Sequence, residues 1–550
     1  MASKSDLELS HNITASNDHL TIDTGEPFGS NTSVQKLHEG WTRSSDIEPE
    51  YATGIRLTII IVTICFSTFL TALDLGIVAT AIPAITDEFH QLDQVGWYGS
   101  AIFLLAGTTS PMWGKMYKYF NAKTIFSVSF GLFLIGSLIA ATAPNSPALV
   151  VARAIQGWGC AGTLSGSLLM INYVAEPSKR PQLIGLWMGV FMISTIFGPV
   201  VGGAFTSKVT WRWCFWINLP IGGVVAVLIF FYFYVPRHVQ TVEATWREIL
   251  WQLDLPGFAL LLTSLICFTL ALQWGGQSRS WSNGSVIATL VLWIVLTVAF
   301  VIVEWAEGSY AMVPLRLLRS RMTWSNALYG LINNLTNFQV IFYLPIYFQS
   351  VHGQSAILSG LNNLPYVAFF AVGTGLGGFC ITKTRMLQPF QLASGLLSTA
   401  GAAVLWTLDV DSSVGRYVGS QILLGFGIGL GNQIPMTAVQ SFSKPDEVES
   451  TTGIMLMFNA LSGAYFVTAA QSLFSNRLVQ ELASSSPNID AAKVLATGAT
   501  QIREVFAGAD LEAVIRVYMV GIKDVFTFSL AGAAFTVLLA LLIPFKKLEH

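Results

Sequence analysis

Runs of about twenty apolar residues recur from Leu57 almost to the C-terminus, separated by short polar connectors. A helix needs about 20 such residues to cross a hydrocarbon core of ~30 Å. The pattern predicts fourteen spans, near residues 57–82, 96–114, 123–143, 147–175, 182–206, 213–235, 253–275, 285–304, 323–350, 356–382, 388–408, 416–440, 453–475 and 522–545. The predicted fold class is an all-α polytopic membrane protein. Two stretches break the pattern. Residues 1–52, rich in Ser, Thr, Asn and acidic side chains, read as a disordered tail. Residues 476–520, polar and amphipathic, read as a long loop. No cleavable signal peptide precedes the first span, which itself serves as the membrane-targeting signal.

Connector lengths divide the chain further. Residues 53–236 form an N-terminal six-helix bundle, 237–318 an inserted helix pair with its connectors, and 319–550 a C-terminal six-helix bundle. Loop charge then sets orientation, because Lys and Arg accumulate in short cytoplasmic loops. With a cytoplasmic N-terminus, the inner loops carry Lys115, Lys118, Lys123, Lys179, Arg180, Arg237, Arg247, Arg316, Arg319, Arg321, Lys383, Arg385 and Lys444. The outer short loops carry only Lys208, Arg212, Arg279 and Arg416. Both termini therefore fall on the cytoplasmic side, and 476–520 is an outer loop. A six-plus-six arrangement is a common transporter plan, with substrate bound between the halves near the midplane. A weak internal echo supports it: basic loops at Gly114 to Lys123 and Gly377 to Arg385 follow the second helix of each half.

Composition agrees with a membrane solvent. Of 550 residues, 53% are hydrophobic and 11% charged, against roughly a quarter charged in soluble domains. A net charge of -2 gives no field for nucleic acid. Cys65, Cys160, Cys214, Cys267 and Cys380 lie scattered in or beside apolar runs and signal neither a disulfide framework nor a metal site. No phosphate-binding loop, metal-ligand spacing or intramembrane nucleophile–base pair is present, so an enzyme, an ATP-driven pump and a resident cofactor are not expected.

Several motifs appear in order. The first span carries Leu73-Asp74-Leu-Gly-Ile-Val-Ala-Thr-Ala-Ile-Pro83, and the fourth carries Arg153-Ala-Ile-Gln156-Gly157. The fifth carries Gly189 and Gly198-Pro199-Val-Val-Gly202-Gly203, and Trp211-Arg-Trp213 with Trp216-Ile-Asn-Leu-Pro220 precedes the sixth. From residue 57 onward the chain resembles the major facilitator superfamily, specifically its fourteen-helix drug:proton antiporter branch of the fungal toxin and multidrug efflux type. The resemblance implies a monomeric plasma-membrane exporter working by alternating access, with protons as coupling ion. It assigns proton coupling to Asp74, Arg153 and Gln156. It makes Gly189, Gly198, Pro199, Gly202 and Gly203 the antiporter motif. One departure stands out. The family's Asp in the loop between helices two and three is Lys118 here, followed by Asn121 and Ala122, so the charge latch attributed to that Asp has no counterpart.

On physical grounds Asp74 and Arg153 sit inside apolar spans, where an unpaired charge is costly. Two roles remain open for Asp74: a proton carrier, or a carboxylate that locks helices to a cation. Arg153 cannot usefully lose its proton, and Gln156 at i+3 shares its face. If both charges carry the proton cycle, Asp74→Asn and Arg153→Ala are expected to fold yet lose drive. Gly198 and Pro199 predict a kinked, closely packed helix, and export follows only from the resemblance.

In the ninth span Asn326, Tyr329, Asn333 and Asn337 recur at helical spacing, with Asn334 and Gln339 beside them. Amides facing lipid are unsatisfied, so this stripe points to a cavity or to another helix. Tyr329, Asn333, Asn337, Gln339, Asn362, Asn432, Gln433 and Asn459, with nearby aromatics such as Phe338 and Phe458, are the candidate pocket for a lipophilic, oxygenated substrate. Asp254, Glu304 and Asp524 read as solvated carboxylates at span ends. Asn283-Gly-Ser285 is a glycosylation sequon on a predicted outer loop. The same fold also serves importers of nutrients or metal chelates, vacuolar amino-acid permeases and non-transporting sensors.

Overall fold

The computed structural model describes residues 51–89, 95–233, 235–236, 241–242, 244–276, 279–308, 310–444, 447–497 and 502–548. The expected tail up to residue 50 and Arg237 lie outside them, as does the Pro199 side chain. The described residues form helices and no strand. They comprise α1 (Gly54–Phe89), α2 (Val95–Tyr119), α3 (Ala122–Ala141), α4 (Ser146–Val174), α5 (Arg180–Lys208), α6 (Trp213–Tyr232), α7 (Trp246–Trp274) and α8 (Gly284–Glu307). The second part comprises α9 (Arg321–Ile346), α10 (Leu364–Thr384), α11 (Gln388–Trp406), α12 (Val414–Phe442), α13 (Val448–Ser485) and α14 (Gly508–Leu542). Short polar residues start several helices by capping backbone N–H groups: Asn121 for α3, Asn145 for α4 and Asn283 for α8.

Ten of these helices are long and apolar enough to cross a membrane by length and composition. The remaining four, α2, α4, α9 and α11, are interrupted by buried polar side chains such as Ser110, Arg153, Asn333 and Gln391. Neighbouring helices supply Arg153, Asn333 and Gln391 with partners, and Ser110 bonds the Ala106 carbonyl of its own helix, which apolarity alone cannot reveal. At the other extreme, only Val286 and Glu304 of α8 are buried. Ile287, Val291, Ile294, Val298 and Ile302 lie exposed along it, a surface suited to lipid.

One apolar core joins α9 to α14 through Tyr343, Phe348, Phe370, Leu424, Phe474 and Phe526. A second joins α1 to α6 through Ile64, Trp113, Phe126, Phe130, Leu168 and Ile229. A third contains Ile102 and Phe103 of α2, Leu261 and Leu265 of α7, and Ile454 and Met457 of α13. The inserted pair thus packs across the line where α2 meets α13.

Two expectations change. Residues 476–520 are not one long loop. α13 continues to Ser485 and α14 begins at Gly508, leaving residues 486–507 as the connection. At 35 residues, α14 is about 50 Å long and exceeds the ~30 Å hydrocarbon core. Its polar first part packs Val514, Ile515 and Tyr518 inward, and Arg477 of α13 pairs with Asp524. Asp254 and Glu304 are not solvated either, being 2% and 1% exposed. Backbone donors across the junction hold them: Met312 N–H bonds Asp254 at 2.7 Å and Val313 N–H bonds Glu304 at 2.7 Å.

Candidate functional site

The N-terminal bundle buries an ion pair. Asp74 on α1 is 0% exposed and Arg153 on α4 is 1% exposed. Arg153 Nη1 donates to Asp74 Oδ2, and also to Gln156 Oε1 at 3.1 Å. Arg153 Nε donates to the Tyr98 carbonyl at 3.1 Å. Gln156 Nε2 donates to Asp74 Oδ1 at 2.9 Å and to Ser137 Oγ at 2.8 Å. Asn218 Nδ2 closes the set, reaching Asp74 Oδ1 at 3.3 Å and Ser137 Oγ at 3.1 Å. The guanidinium lies 5.9 Å from the Phe215 ring centroid. Both carboxylate oxygens therefore have donors, as a buried charge requires.

The motif residues meet as the sequence implies, but Ser137, Asn218 and the Tyr98 carbonyl were not anticipated. Asn218 lay within Trp216-Ile-Asn-Leu-Pro220, and an amide in a helix start gives no charge signal to mark it.

α5 leads from this network to the other half. A Cβ on Gly198 would lie 2.7 Å from the Gly76 carbonyl carbon, so α1 and α5 approach at backbone distance. Along α5, Met188 Sδ accepts from Asn432 Nδ2 at 3.4 Å. A Cβ on Gly185 would meet the Gln433 amide oxygen at 3.0 Å. Gly189 faces open space, and the Gly202 carbonyl lies 3.9 Å from Cys214 Sγ. Gly203 stays within the same unbroken helix.

In the C-terminal bundle the predicted amides divide into two groups. Asn333 Nδ2 donates to Asn432 Oδ1 at 3.4 Å, and Asn334 Nδ2 to Asn459 Oδ1 at 3.1 Å. Asn334, Asn432 and Asn459 are partly exposed where the two halves meet. Phe338 joins them, packing edge-on against Phe103 of α2 at 5.6 Å. Gln433 Nε2 donates to the Thr374 carbonyl at 3.1 Å while its Oε1 has no partner.

The second group is turned into the bundle. Tyr329 bonds Gln391 O and Ser394 Oγ at 3.2 and 3.1 Å, and Asn337 accepts from Tyr366 OH at 2.6 Å. Gln339 donates to Phe466 O at 3.0 Å, while Asn362, partly exposed on a short helix before α10, pairs with Gln354 at 2.6 Å. Helical spacing placed Tyr329, Asn333 and Asn337 on one face but could not tell which depth opens to a cavity.

At the end of the bundles that carries Lys115 and Arg316, α2 and α13 touch at glycines. A Cβ on Gly114 would sit 2.6 Å from the Glu449 carbonyl oxygen, and one on Gly453 2.8 Å from the Ser110 carbonyl oxygen. Tyr173 OH donates to Glu449 Oε1 at 2.7 Å, and Arg316 pairs with Glu447 at 2.9 Å. These contacts stand where the resemblance would place the Asp latch. Gly425 and Gly429 serve packing within the C-terminal bundle, with Cβ positions 2.3 Å from the Tyr366 carbonyl oxygen and 2.2 Å from that of Phe370. Asn283 is exposed at the start of α8. The five cysteines are unpaired.

Residues 64–467 match the sequence profile of the Major Facilitator Superfamily. The efflux pump notK of Aspergillus sp. (strain MF297-2) is 67% identical over 503 residues, covering 92% of this chain and 89% of that protein. The dehydrocurvularin exporter of Alternaria cinerariae is 58% identical over 542 residues, covering 97% and 93%. Among solved structures, a bacterial homologue of the human lysosomal transporter Spinster, inward-facing and unoccupied, superposes with TM-score 0.56 at 14% identity, covering 90% of this chain and 98% of that one. The human organic anion transporter MFSD10 (TETRAN) gives TM-score 0.54 at 12% identity, covering 88% and 100%. At such identities the structural likeness concerns the fold.

Proposed function

The chain belongs to the major facilitator superfamily, and we propose that it is a proton-coupled efflux pump exporting a small lipophilic molecule, a fungal secondary metabolite or toxin. Close relatives bearing the names of efflux pump and dehydrocurvularin exporter over almost their full length support the export direction. The observation that carries proton coupling is the buried Asp74–Arg153 pair with its amide and hydroxyl partners. In this reading fourteen helices cross the plasma membrane, both termini are cytoplasmic, and the pump works as a monomer. Transport leaves its cargo covalently unchanged.

The geometry suggests how the steps connect. A proton reaching Asp74 neutralises the carboxylate and removes its attraction for Arg153. Arg153 keeps the Tyr98 carbonyl and Gln156 Oε1, so its charge remains solvated by protein while α1 is released from α4. α1 meets α5 at Gly76 and Gly198. A shift of α1 therefore moves α5, and with it Met188 and Gly185 against Asn432 and Gln433. Substrate lies at Asn334, Asn432 and Asn459, with Phe338 and Phe103 as apolar walls. One proton crossing 100 mV supplies ~2.3 kcal/mol, which sustains roughly a fifty-fold gradient.

The test is transport by the purified full-length chain in liposomes with an imposed pH gradient, using dehydrocurvularin as first cargo. Wild-type protein should accumulate cargo on the side from which protons leave, and an uncoupler should abolish this. Gradient-independent accumulation, or none with a panel of such metabolites, would overturn the reading.

A further inference from the structure

A second group of buried charges lies at the root of the inserted pair, remote in sequence from Asp74 and Arg153. Lys115, one residue after Gly114 on α2, is 3% exposed. Its Nζ donates to the carbonyls of Gln252 at 2.6 Å, Tyr310 at 2.9 Å and Ala311 at 2.5 Å. Those carbonyls belong to the start of α7 and to the connector after α8, so Lys115 clamps both ends of the pair. Its three donors are all used on neutral acceptors.

Three carboxyls act on that ammonium without bonding it: Asp254, Glu304 and Glu307. Asp254 sits where α7 breaks between its segments Trp246–Gln252 and Leu255–Trp274; it caps the second from a left-handed backbone conformation, φ 47°, and accepts from Gly257 N–H and Met312 N–H at 2.7 Å each. Its carboxyl also faces the carboxyls of both Glu304 and Glu307. Glu304, 1% exposed, spends one oxygen on Val313 N–H and leaves Oε1 with no donor. Glu307 Oε2 is likewise buried without a donor.

Ionised carboxylates are acceptors only. Facing carboxylates therefore repel, and no group among the described residues supplies the donor that Glu304 Oε1 lacks. A proton supplies it. Charges around the cluster among the described residues include Lys118 on α2, which acts on Lys115, Arg247 of α7, which lines the adjoining cavity, and Glu248 of α7, which with Tyr310 acts on Tyr119. The connector adds Tyr310. Among the described residues no three acidic, histidine or cysteine side chains converge as a metal ion would need. A cavity of about 240 Å³ lined by Arg247, Trp251, Asp254 and Glu307 gives water a way to the carboxyls.

We propose that Asp254, Glu304 and Glu307 form a second proton-binding site, in which one proton is shared between facing carboxyls at the point where Lys115 fastens the inserted pair to α2. The site is independent of the role of Asp74. With the proton bound, one of the facing pairs has a hydrogen bond between its oxygens in place of repulsion. Its loss sets two anions face to face in a buried junction.

Infrared difference spectroscopy on the full-length protein in lipid nanodiscs reads this directly, through the C=O stretch of protonated carboxyls between roughly pH 5 and 9. Wild-type protein should show a protonated-carboxyl band that disappears as pH rises. Glu304→Gln should remove that titrating band, Asp254→Asn should shift or remove it, and Asp74→Asn should leave it in place. If Glu304→Gln does not fold, Asp254→Asn carries the same reading. A wild-type protein with no titrating carboxyl band overturns the proposal. So does a band that survives unchanged in the Glu304 and Asp254 variants, or one that only Asp74→Asn removes.

Discussion

The two bundles solve the problem of buried polarity in opposite ways. The N-terminal bundle holds a full ion pair, Asp74 with Arg153, and gives each oxygen of Asp74 a donor from Arg153, Gln156 or Asn218. The C-terminal bundle carries neutral amides, and several keep unused capacity: Gln339 Oε1, Gln391 Oε1 and Gln433 Oε1 have no partner, nor do both polar atoms of Gln421. A charge in a low-dielectric interior must be satisfied at all times, so its surroundings are rigid and respond sharply when the charge is removed. A neutral amide costs far less to leave partly unpaired. It can accept a ligand atom and release it again. In the function proposed above, ion handling belongs to the first half and cargo to the second.

The strongest way to break that division is to remove one member of the ion pair. Arg153→Ala leaves Asp74 buried without its cation, and losses of about 3–5 kcal/mol are usual for such changes. The prior expectation that this variant folds unperturbed is therefore revised: with Arg153 at 1% exposure, stability and drive should fall together. The neutral double variant Asp74→Asn with Arg153→Gln separates the two effects. It should regain most of the thermal stability in lipid while gradient-driven transport stays absent. Recovery of transport along with stability would reduce the pair to a structural lock.

The next largest effect compares two glycines that touch backbone, one between the halves and one within a half. Gly429→Ala forces a Cβ to 2.2 Å from the Phe370 carbonyl oxygen, between α12 and α10 of the same bundle. Overpacking there should cost about 1–3 kcal/mol of stability. Gly114→Ala meets the Glu449 carbonyl oxygen at 2.6 Å across the α2–α13 line. Two halves that rock can part slightly, so stability should change little. Closure of the halves along this line should fail instead, and transport with it. Equal thermal shifts for both variants would argue against relative motion of the halves along this line.

Within the C-terminal bundle the amides themselves can be sorted. Asn334→Ala and Asn459→Ala remove one neutral hydrogen bond, about 0.5–1.5 kcal/mol, at partly exposed positions. The half-saturating cargo concentration should rise by roughly two- to ten-fold, with maximal flux nearly unchanged. Asn337→Ala instead strands the Tyr366 hydroxyl, which donates to it at 2.6 Å in the bundle interior. That change should lower thermal stability without altering cargo affinity. The reverse assignment of effects would move the pocket deeper into the bundle.

How much of this was visible along the chain depended on the solvent each residue meets. α8 was plain because lipid surrounds almost all of it, and a uniform apolar surface is a sequence property. Asp74, Arg153 and Gln156 were visible because charge in an apolar run is conspicuous. Asn218 and Ser137 were not, since a small polar side chain in a helix reads the same whether it bonds its own helix or a neighbour's carboxylate. Asp254 and Glu304 were misjudged for a related reason. Their donors, Met312 and Val313 N–H, come from a connector whose path no local pattern encodes. The 476–520 stretch looked like a loop because helices that outrun the bilayer turn one polar face to water, and their apolar face packs on another helix.

The mildest comparison lies at the edge of each bundle. In the first, Glu88 takes both guanidinium nitrogens of Arg212 at 2.8 Å and Trp211 Nε1 at 2.7 Å. In the second, Asp409 takes Lys523 at 2.6 Å and its neighbour Val410 N–H at 2.9 Å. The Arg212 hydrogen bond holds the Glu88 carboxyl below its ordinary range, and the Lys523 hydrogen bond does the same for Asp409. A carboxyl depressed on folding stabilises the native state above its unfolded pKa, and that contribution is lost as pH falls through the folded value. Both bundles should therefore lose a little thermal stability on acidification below about pH 4. Side-chain exposures of 44% at Glu88 and 60% at Asp409 limit each pair to about 0.2–1 kcal/mol. The bidentate, aromatic-backed Glu88 pair should sit at the upper end. Glu88→Gln and Asp409→Asn should each flatten the acid limb of a thermal-shift profile, the first more than the second. Equal flattening would show that screening by water, rather than bond geometry, sets the strength of both.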